Sequence, residues 1–259
     1  MNIEIFLNKS VEQNASLHYE KAKKARQKHA RVLEAIKNTE QKLLALQKEK
    51  DKVLLQLKQE EQKPSRKKEW YEKFRWFYSS EGFLCIGGRD ATSNEIVIKK
   101  HAEKGDLVLH TDMAGSPFFV IKNGEHASEQ TINEAAQATA SYSKAWKAGM
   151  STLDVFYVKP EQVTKKARSG EYMAKGAFMI YGETKYMHPF LEVAVGIKED
   201  GQVIGGAVDA IKTQAKKYMA LIPGRNKMSD TAKKVKHFLQ AGDLDEIMHF
   251  IPPGGCDAK

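Results

Sequence analysis

Disulfide chemistry, membrane insertion and the common hydrolase signatures are all poorly supplied in this chain. Its two cysteines stand apart, Cys85 in an apolar run and Cys256 in a Gly/Pro-rich tail. They make no disulfide framework and fit a reducing compartment. No apolar stretch approaches the roughly 20 residues of a membrane helix. The opening residues through Leu7 are short and include Glu4, which does not read as an export signal. The expectation is a soluble cytoplasmic chain with no membrane partner. Gly-x-x-x-x-Gly-Lys-Ser/Thr and Gly-x-Ser-x-Gly are both missing, so P-loop and serine-hydrolase chemistry lack local support.

Proline and glycine are also absent from residues 10–62. There Ala25, His29, Val32, Ile36, Thr39, Leu43, Leu46, Lys50, Val53 and Leu57 alternate at spacings of four and three, a coiled-coil pattern. Ser10 with Gln13 forms a capping-box signature at its start. A continuous helix of this extent reaches roughly 75 Å; a hairpin broken near Asn38-Thr39 is the alternative. His29, Thr39 and Lys50 interrupt the seam, so the helix needs a partner: a second copy, by self-association, or another segment. Charge concentrates here. The whole chain carries 42 basic and 33 acidic residues, net +9; residues 1–69 hold 17 and 10 of them, net +7, leaving 25 and 23, net +2. Such a helix is either a solvated face or a cationic rod for a polyanion such as RNA.

After Pro64-Ser65-Arg66-Lys67-Lys68 the pattern changes. Short strands are expected at 83–86, 107–110, 118–121, 155–158 and 178–180. Helices are expected at 92–101, 129–147 and 229–240, with a short one from Asp243. Residues 192–198 and 202–206 read as a hairpin around Glu199-Asp200-Gly201. The fold class is α+β, a long N-terminal coiled-coil helical arm (1–69) followed by a mixed α/β globular domain (70–259).

Six aromatics, Trp70, Tyr71, Phe74, Trp76, Phe77 and Tyr78, crowd the junction. Packing onto the domain is the first reading and base stacking the second. A strand then runs into Gly87-Gly88-Arg89-Asp90 and a helix carrying Asn94, an order compatible with phosphate recognition or with a salt-bridged helix cap. Gly205-Gly206 reads as a turn or bulge. His110-Thr111-Asp112 offers two ligand-type side chains but lacks further ligands at metal spacing, so no metal and no cofactor are expected. Lys165, Lys166 and Arg168 beside Ser169-Gly170 and Tyr172 suit RNA phosphates and unstacked bases, with a solvated loop as the competing reading.

Several blocks in order resemble the NFACT-R domain of the RqcH/NEMF ribosome quality-control family: Trp70-Tyr-Glu-Lys-Phe-Arg-Trp-Phe77, Ile86-Gly-Gly-Arg-Asp-Ala91 with Asn94-Glu95, Asp106-Leu-Val-Leu-His-Thr-Asp-Met-Ala-Gly-Ser-Pro117, Phe119-Val-Ile-Lys-Asn123, Val158-Lys-Pro-Glu-Gln-Val-Thr-Lys165, and Ser169-Gly-Glu-Tyr172 with Gly176-Ala-Phe-Met-Ile180. The arm, with Asn14-Ala15 and Tyr19, resembles the coiled coil preceding that domain, and the wording is nearer the archaeal and eukaryotic form than the bacterial one. The resemblance implies a non-enzymatic RNA-binding module. Its expected partners are the large ribosomal subunit obstructed by peptidyl-tRNA, with rRNA and tRNA, in the rescue and C-terminal tailing of stalled chains. Candidate RNA-contacting or site-shaping residues are Arg89, Asp90, Asn94, Lys99, Lys100, His110, Asp112, Lys122, Lys165, Lys166, Arg168 and Tyr172. The family's NFACT-N and helix-hairpin-helix portions have no counterpart in these 259 residues, so tailing is not assigned to them alone. Two rivals are a metal-dependent nuclease built on Arg89, Asp90, His110 and Asp112, and a coiled-coil scaffold for protein partners.

Overall fold

In the computed structural model, which describes residues 3–61, 69–165 and 174–259, one helix (α1, Val11–Glu61) fills the arm. Its start is capped as the spacing predicts: the Gln13 amide donates to Ser10 Oγ at 3.3 Å and the Ser10 amide to Gln13 Oε1 at 3.0 Å. The hairpin alternative is overturned. Thr39 donates its hydroxyl to the Ala35 carbonyl at 2.7 Å, a bond a helix tolerates, and the helix continues past it. Ahead of the helix, residues 3–10 hook back onto Asn14, which is buried. Its Oδ1 accepts from the Phe6 amide at 2.9 Å and its Nδ2 donates to the Phe6 carbonyl at 3.0 Å. The seam residues Val32, Ile36, Leu43 and Leu46 are exposed.

The chain divides into two units, Met1–Lys67 and Lys68–Lys259. The second begins with a 3₁₀ turn, Trp70–Lys73, then β1 (Arg75–Tyr78) and β2 (Leu84–Gly87). A short helix, α2 (Ala91–Ile96), widens into a π turn at Val97–His101. Next come β3 (Leu107–Thr111), β4 (Phe119–Ile121), α3 (Glu129–Ser141), α4 (Lys144–Lys147), β5 (Val155–Val158), β6 (Val163–Thr164), β7 (Met179–Ile180) and β8 (Lys185–Met187). The last stretch holds β9 (Val193–Ile197), β10 (Val203–Gly206), α5 (Val208–Gln214), β11 (Lys217–Pro223), α6 (Met228–Leu239), α7 (Leu244–Phe250) and β12 (Cys256–Ala258).

β6 and β7 pair in a small sheet of their own; one larger sheet has the order β1-β2-β4-β3-β5-β8 and the other β10-β9-β11-β12, with every pairing antiparallel. Between them lies α3, which touches β3, β4 and β5 on one side and β9 on the other. Its small residues make that possible: Ala135, Ala136, Ala138, Thr139, Ala140 and Ser141 are all buried, so backbones approach closely on both sides. The helix expected over 129–147 is two helices. Ser143 donates its hydroxyl to Ala140 O at 2.7 Å and accepts from the Ala145 amide at 3.1 Å, ending α3 and capping α4. Gly205 and Gly206 are also reassigned from a turn to close packing within β10. A Cβ on Gly205 would come within 2.4 Å of Phe250, and one on Gly206 within 2.7 Å of Phe77. The aromatic cluster at 70–78 is chiefly core: Phe74, Trp76 and Phe77 are buried. Trp70 stays exposed and stacks on His101 at 4.4 Å.

Candidate nucleic-acid interface

The turn from β2 into α2 is built by what its glycines leave out. A Cβ on Gly87 would come within 2.4 Å of the Phe119 ring, and one on Gly88 within 1.9 Å of Asn94 Oδ1. That clearance lets the turn lie against residues 116–118: the Gly88 amide donates to Phe118 O at 3.1 Å. Asn94, buried, accepts from the Phe118 amide at 3.1 Å and donates to Ser116 O at 3.4 Å. Its role is to fasten this turn. Asp90 is extended and caps α2, its Oδ1 accepting from the Ser93 amide at 2.8 Å. That bond holds its carboxyl below the ordinary range. Arg89 is exposed and bonds away from Asp90: Nη1 donates to His249 Nδ1 at 3.0 Å, and His249 Nε2 in turn donates to Phe74 O at 3.0 Å.

The turn borders a pocket of ≈ 340 Å³ whose walls include Gly88, Arg89, His110, Ser116, Tyr142 and Lys175. Lys144 reaches its rim, since a Cβ on Gly115 would meet the Lys144 side chain at 2.4 Å. His110 stacks face to face on Phe118 at 3.7 Å, and its Nδ1–H donates to Pro117 O at 2.9 Å. Burial pushes its pKa down, so at neutral pH it enters as a flat uncharged wall with Nε2 as acceptor. Thus Arg89, Asp90, Asn94 and His110 converge on one pocket.

The other candidates lie elsewhere. Glu95 collects Lys99 at 3.1 Å and Lys165 at 2.8 Å, and accepts from the Gly176 amide at 3.1 Å. Lys165 also donates to the carbonyls of Ala174 and Ala177, so its ammonium is engaged within the fold and ties segment 174–177 to α2. Lys122 is engaged likewise by His101 O, Glu103 and Asp106. Both lysines hold loops in place, and a phosphate at either would have to displace these bonds. Lys100 is exposed at the end of the π turn. Asp112 is exposed and accepts from the Tyr186 hydroxyl at 3.2 Å. Lys166, Arg168 and Tyr172 fall outside the described residues. Arg75, Tyr142, Lys144 and Lys175 surround this region and were not singled out by motif. An arginine among aromatics in the run Arg75-Trp76-Phe77-Tyr78 was the available signal. Among the described residues, no cluster of His, Cys, Asp and Glu has metal-site geometry, and no helix is long and apolar enough to cross a membrane.

The bonds from Lys165, Gly176 and Lys99 hold the Glu95 carboxyl at about 2. Its unfolded value is about 4.3, so the folded form binds a proton less readily. The stability contributed by this tether of 174–177 is therefore fully present above about pH 4.3 and is lost as pH falls toward 2, where the folded carboxylate itself takes up its proton. The Gly176 amide resonance should follow that titration; an amide shift indifferent to pH between 5 and 2 would contradict it.

A glycine turn beside a pocket that Arg89, Lys175 and Asp90 help to line, on an α+β scaffold, has the form of a binding module. The family model described as NFACT protein RNA binding domain matches residues 73–182. The archaeal Rqc2 homolog aRqcH of Methanocaldococcus jannaschii is 38% identical over 214 residues, covering 80% of this chain and 31% of that protein. The ribosome quality control complex subunit NEMF of Homo sapiens is 38% identical over 182 residues, covering 68% of this chain and 16% of that one. The Rqc2 homolog RqcH of Bacillus subtilis is 32% identical over 126 residues, covering 48% and 20%. The chain belongs to this family of ribosome quality control proteins, which carries the NFACT RNA-binding domain. It spans less than a third of each of these relatives.

Proposed function

We propose that this chain is the RNA-binding portion of a ribosome quality-control factor, gripping ribosomal or transfer RNA on large subunits obstructed by peptidyl-tRNA. Rescue and C-terminal tailing of the stalled chain belong, on this reading, to the assembly it serves, with no bond-making step in these residues. The relatives' names, quality-control subunits with an RNA-binding domain, fit a non-enzymatic role. The observation that carries the reading is the pocket at the β2–α2 turn, whose lining includes two cations, Arg89 and Lys175, and one carboxylate, Asp90, already committed to its helix cap. The arm's net +7 adds a sequence-independent attraction for phosphates.

Filter binding to ribosomal RNA and to isolated large subunits tests it. Replacing Arg89 and Lys175 together by Gln should weaken binding at every sequence tried and lower the salt slope by about one for each phosphate contact removed. Undetectable binding of the unaltered chain in dilute buffer would overturn the reading.

A further inference from the structure

Charge is spread very unevenly over the globular domain. Residues 212–240 hold 8 of the 25 Lys and Arg of residues 70–259 and 1 of the 23 acids, net +7, which leaves 17 and 22 elsewhere, net −5. The stretch matches the arm's net charge in fewer than half as many residues, and it lies outside residues 73–182, where the RNA-binding family model matches. It contains β11 and α6. In α6, Thr231, Ala232, Val235 and Leu239 are buried. Helix periodicity then turns Lys234 and Phe238 to one flank and Lys233 and His237 outward. Lys227, at the N-cap, aligns with Lys234 two turns on, about 10 Å along the axis. All five side chains are exposed. The Lys217 ammonium of β11 stands over the Phe238 ring, 4.4 Å from its centroid, and so joins the same flank. Acids on neighbouring elements are already engaged: Glu199 pairs with Lys216 at 3.1 Å, Asp257 accepts from the Asn226 amide, and Asp243 caps α7, whose first turn holds Asp245 and Glu246. Asp230 is the one acid of α6. Among the described residues, the other seven cations of the stretch make no ion pair.

We propose that this α6–β11 face is a second RNA-docking surface, where Lys217, Lys227, Lys233 and Lys234 lie along a phosphate backbone. This rests on the RNA-binding reading and adds to it a contact remote in sequence from the β2–α2 turn. Like charges gathered on one face repel one another in the unbound chain, and a polyanion reverses that repulsion while releasing its own counterions. Seven of the eight cations are lysine. Lysine is a point charge without the fork that reads base edges, so contacts here position the RNA and ignore its sequence. An acidic protein fits less well. Protein interfaces depend on apolar anchors, and the exposed large apolar side chain of this stretch is Phe238, already covered on one face by Lys217. A lipid surface would need the same missing apolar residues to enter the bilayer.

The test titrates the full chain with a labelled RNA duplex at several salt concentrations, with polyglutamate and anionic phospholipid vesicles as competitors. Lys227→Gln, Lys233→Gln and Lys234→Gln combined should weaken RNA binding about tenfold and lower the salt slope by about two to three. The same charge removed elsewhere on the domain, at the exposed Lys104, Lys159 and Lys185, should change both far less. Should the triple variant melt early, Lys227→Gln alone, at the N-cap, should lower the slope by about one. Equal losses in the two triple variants would overturn the proposal, since net charge and not this face would then govern binding. So would displacement of RNA by polyglutamate of equal charge, or vesicle capture that alone depends on the three lysines. RNA binding that falls with the Arg89 and Lys175 replacements but survives the α6 variant removes this face and leaves the RNA reading standing. The reverse pattern keeps this face and removes the pocket as the carrier of that reading.

Discussion

Raising monovalent salt from 50 to 200 mM is expected to lower the chain's affinity for RNA by about a thousandfold or more. A fall of that size accompanies the neutralisation of six or more phosphates, because each contact releases condensed counterions. The chain has cations for it: the arm alone carries 17 Lys and Arg against 10 acids. Two of the sequence's candidate contacts, Lys122 and Lys165, are excluded from that count because carboxylates and carbonyls already hold their ammonium groups. The dependence should therefore soften when arm lysines such as Lys21, Lys24 and Lys28 are changed to Gln, and stay nearly constant in Lys122→Gln. A plot of log affinity against log salt that is flat would show that apolar contacts, not phosphates, hold the RNA.

The second large effect is on stability, and it falls on Asp106. This carboxylate is 2% exposed and accepts from the Glu103 amide at 2.8 Å, the Asn123 amide at 2.8 Å and Lys122 Nζ at 2.7 Å. It anchors both the chain entering β3 and the chain leaving β4, where Asn123 adopts the left-handed conformation. Asp106→Ala would take this acceptor from the Glu103 and Asn123 amides and remove one of the three partners of the Lys122 ammonium, which keeps His101 O and Glu103. Removing one partner of a buried pair costs about 3–5 kcal/mol, and the partial exposure of Lys122 places this case near the lower end. Urea unfolding should show a lower midpoint with an unchanged slope. Asp106→Asn, which keeps one acceptor, should fall between. A midpoint within experimental scatter of the unaltered chain would mean that the clamp contributes nothing.

Local patterns were legible where a signal lies within a few residues. The helix from Ser10 follows from a capping pair and a long stretch free of glycine and proline; β5 at Val155–Val158 and the β9–β10 hairpin follow from apolar runs with a turn between them. The Gly87-Gly88-Arg89-Asp90 turn stood out for the same reason, although its motif did not reveal that Asp90 would cap α2 or that Arg89 would turn to His249. Long-range matters were not legible. Lys122 and Lys165 looked like free cations because their acceptors lie as far as 21 and 70 residues away in the chain, at His101 and Glu95. The double glycine of β10 looked like a turn because the rings it must clear, Phe77 and Phe250, come from strands and helices remote in sequence.

Composition and spacing by themselves determined a basic α-helical arm, a mixed α+β body and the family's ordered motifs, since helix periodicity, capping and charge are properties of neighbouring residues. Only the tertiary structure decided which cations are spent inside the fold and which are left facing a pocket. The physical reason is that a charge is neutralised by whatever sits within a few ångströms, and the chain brings those partners together only when α3 closes between its two larger sheets.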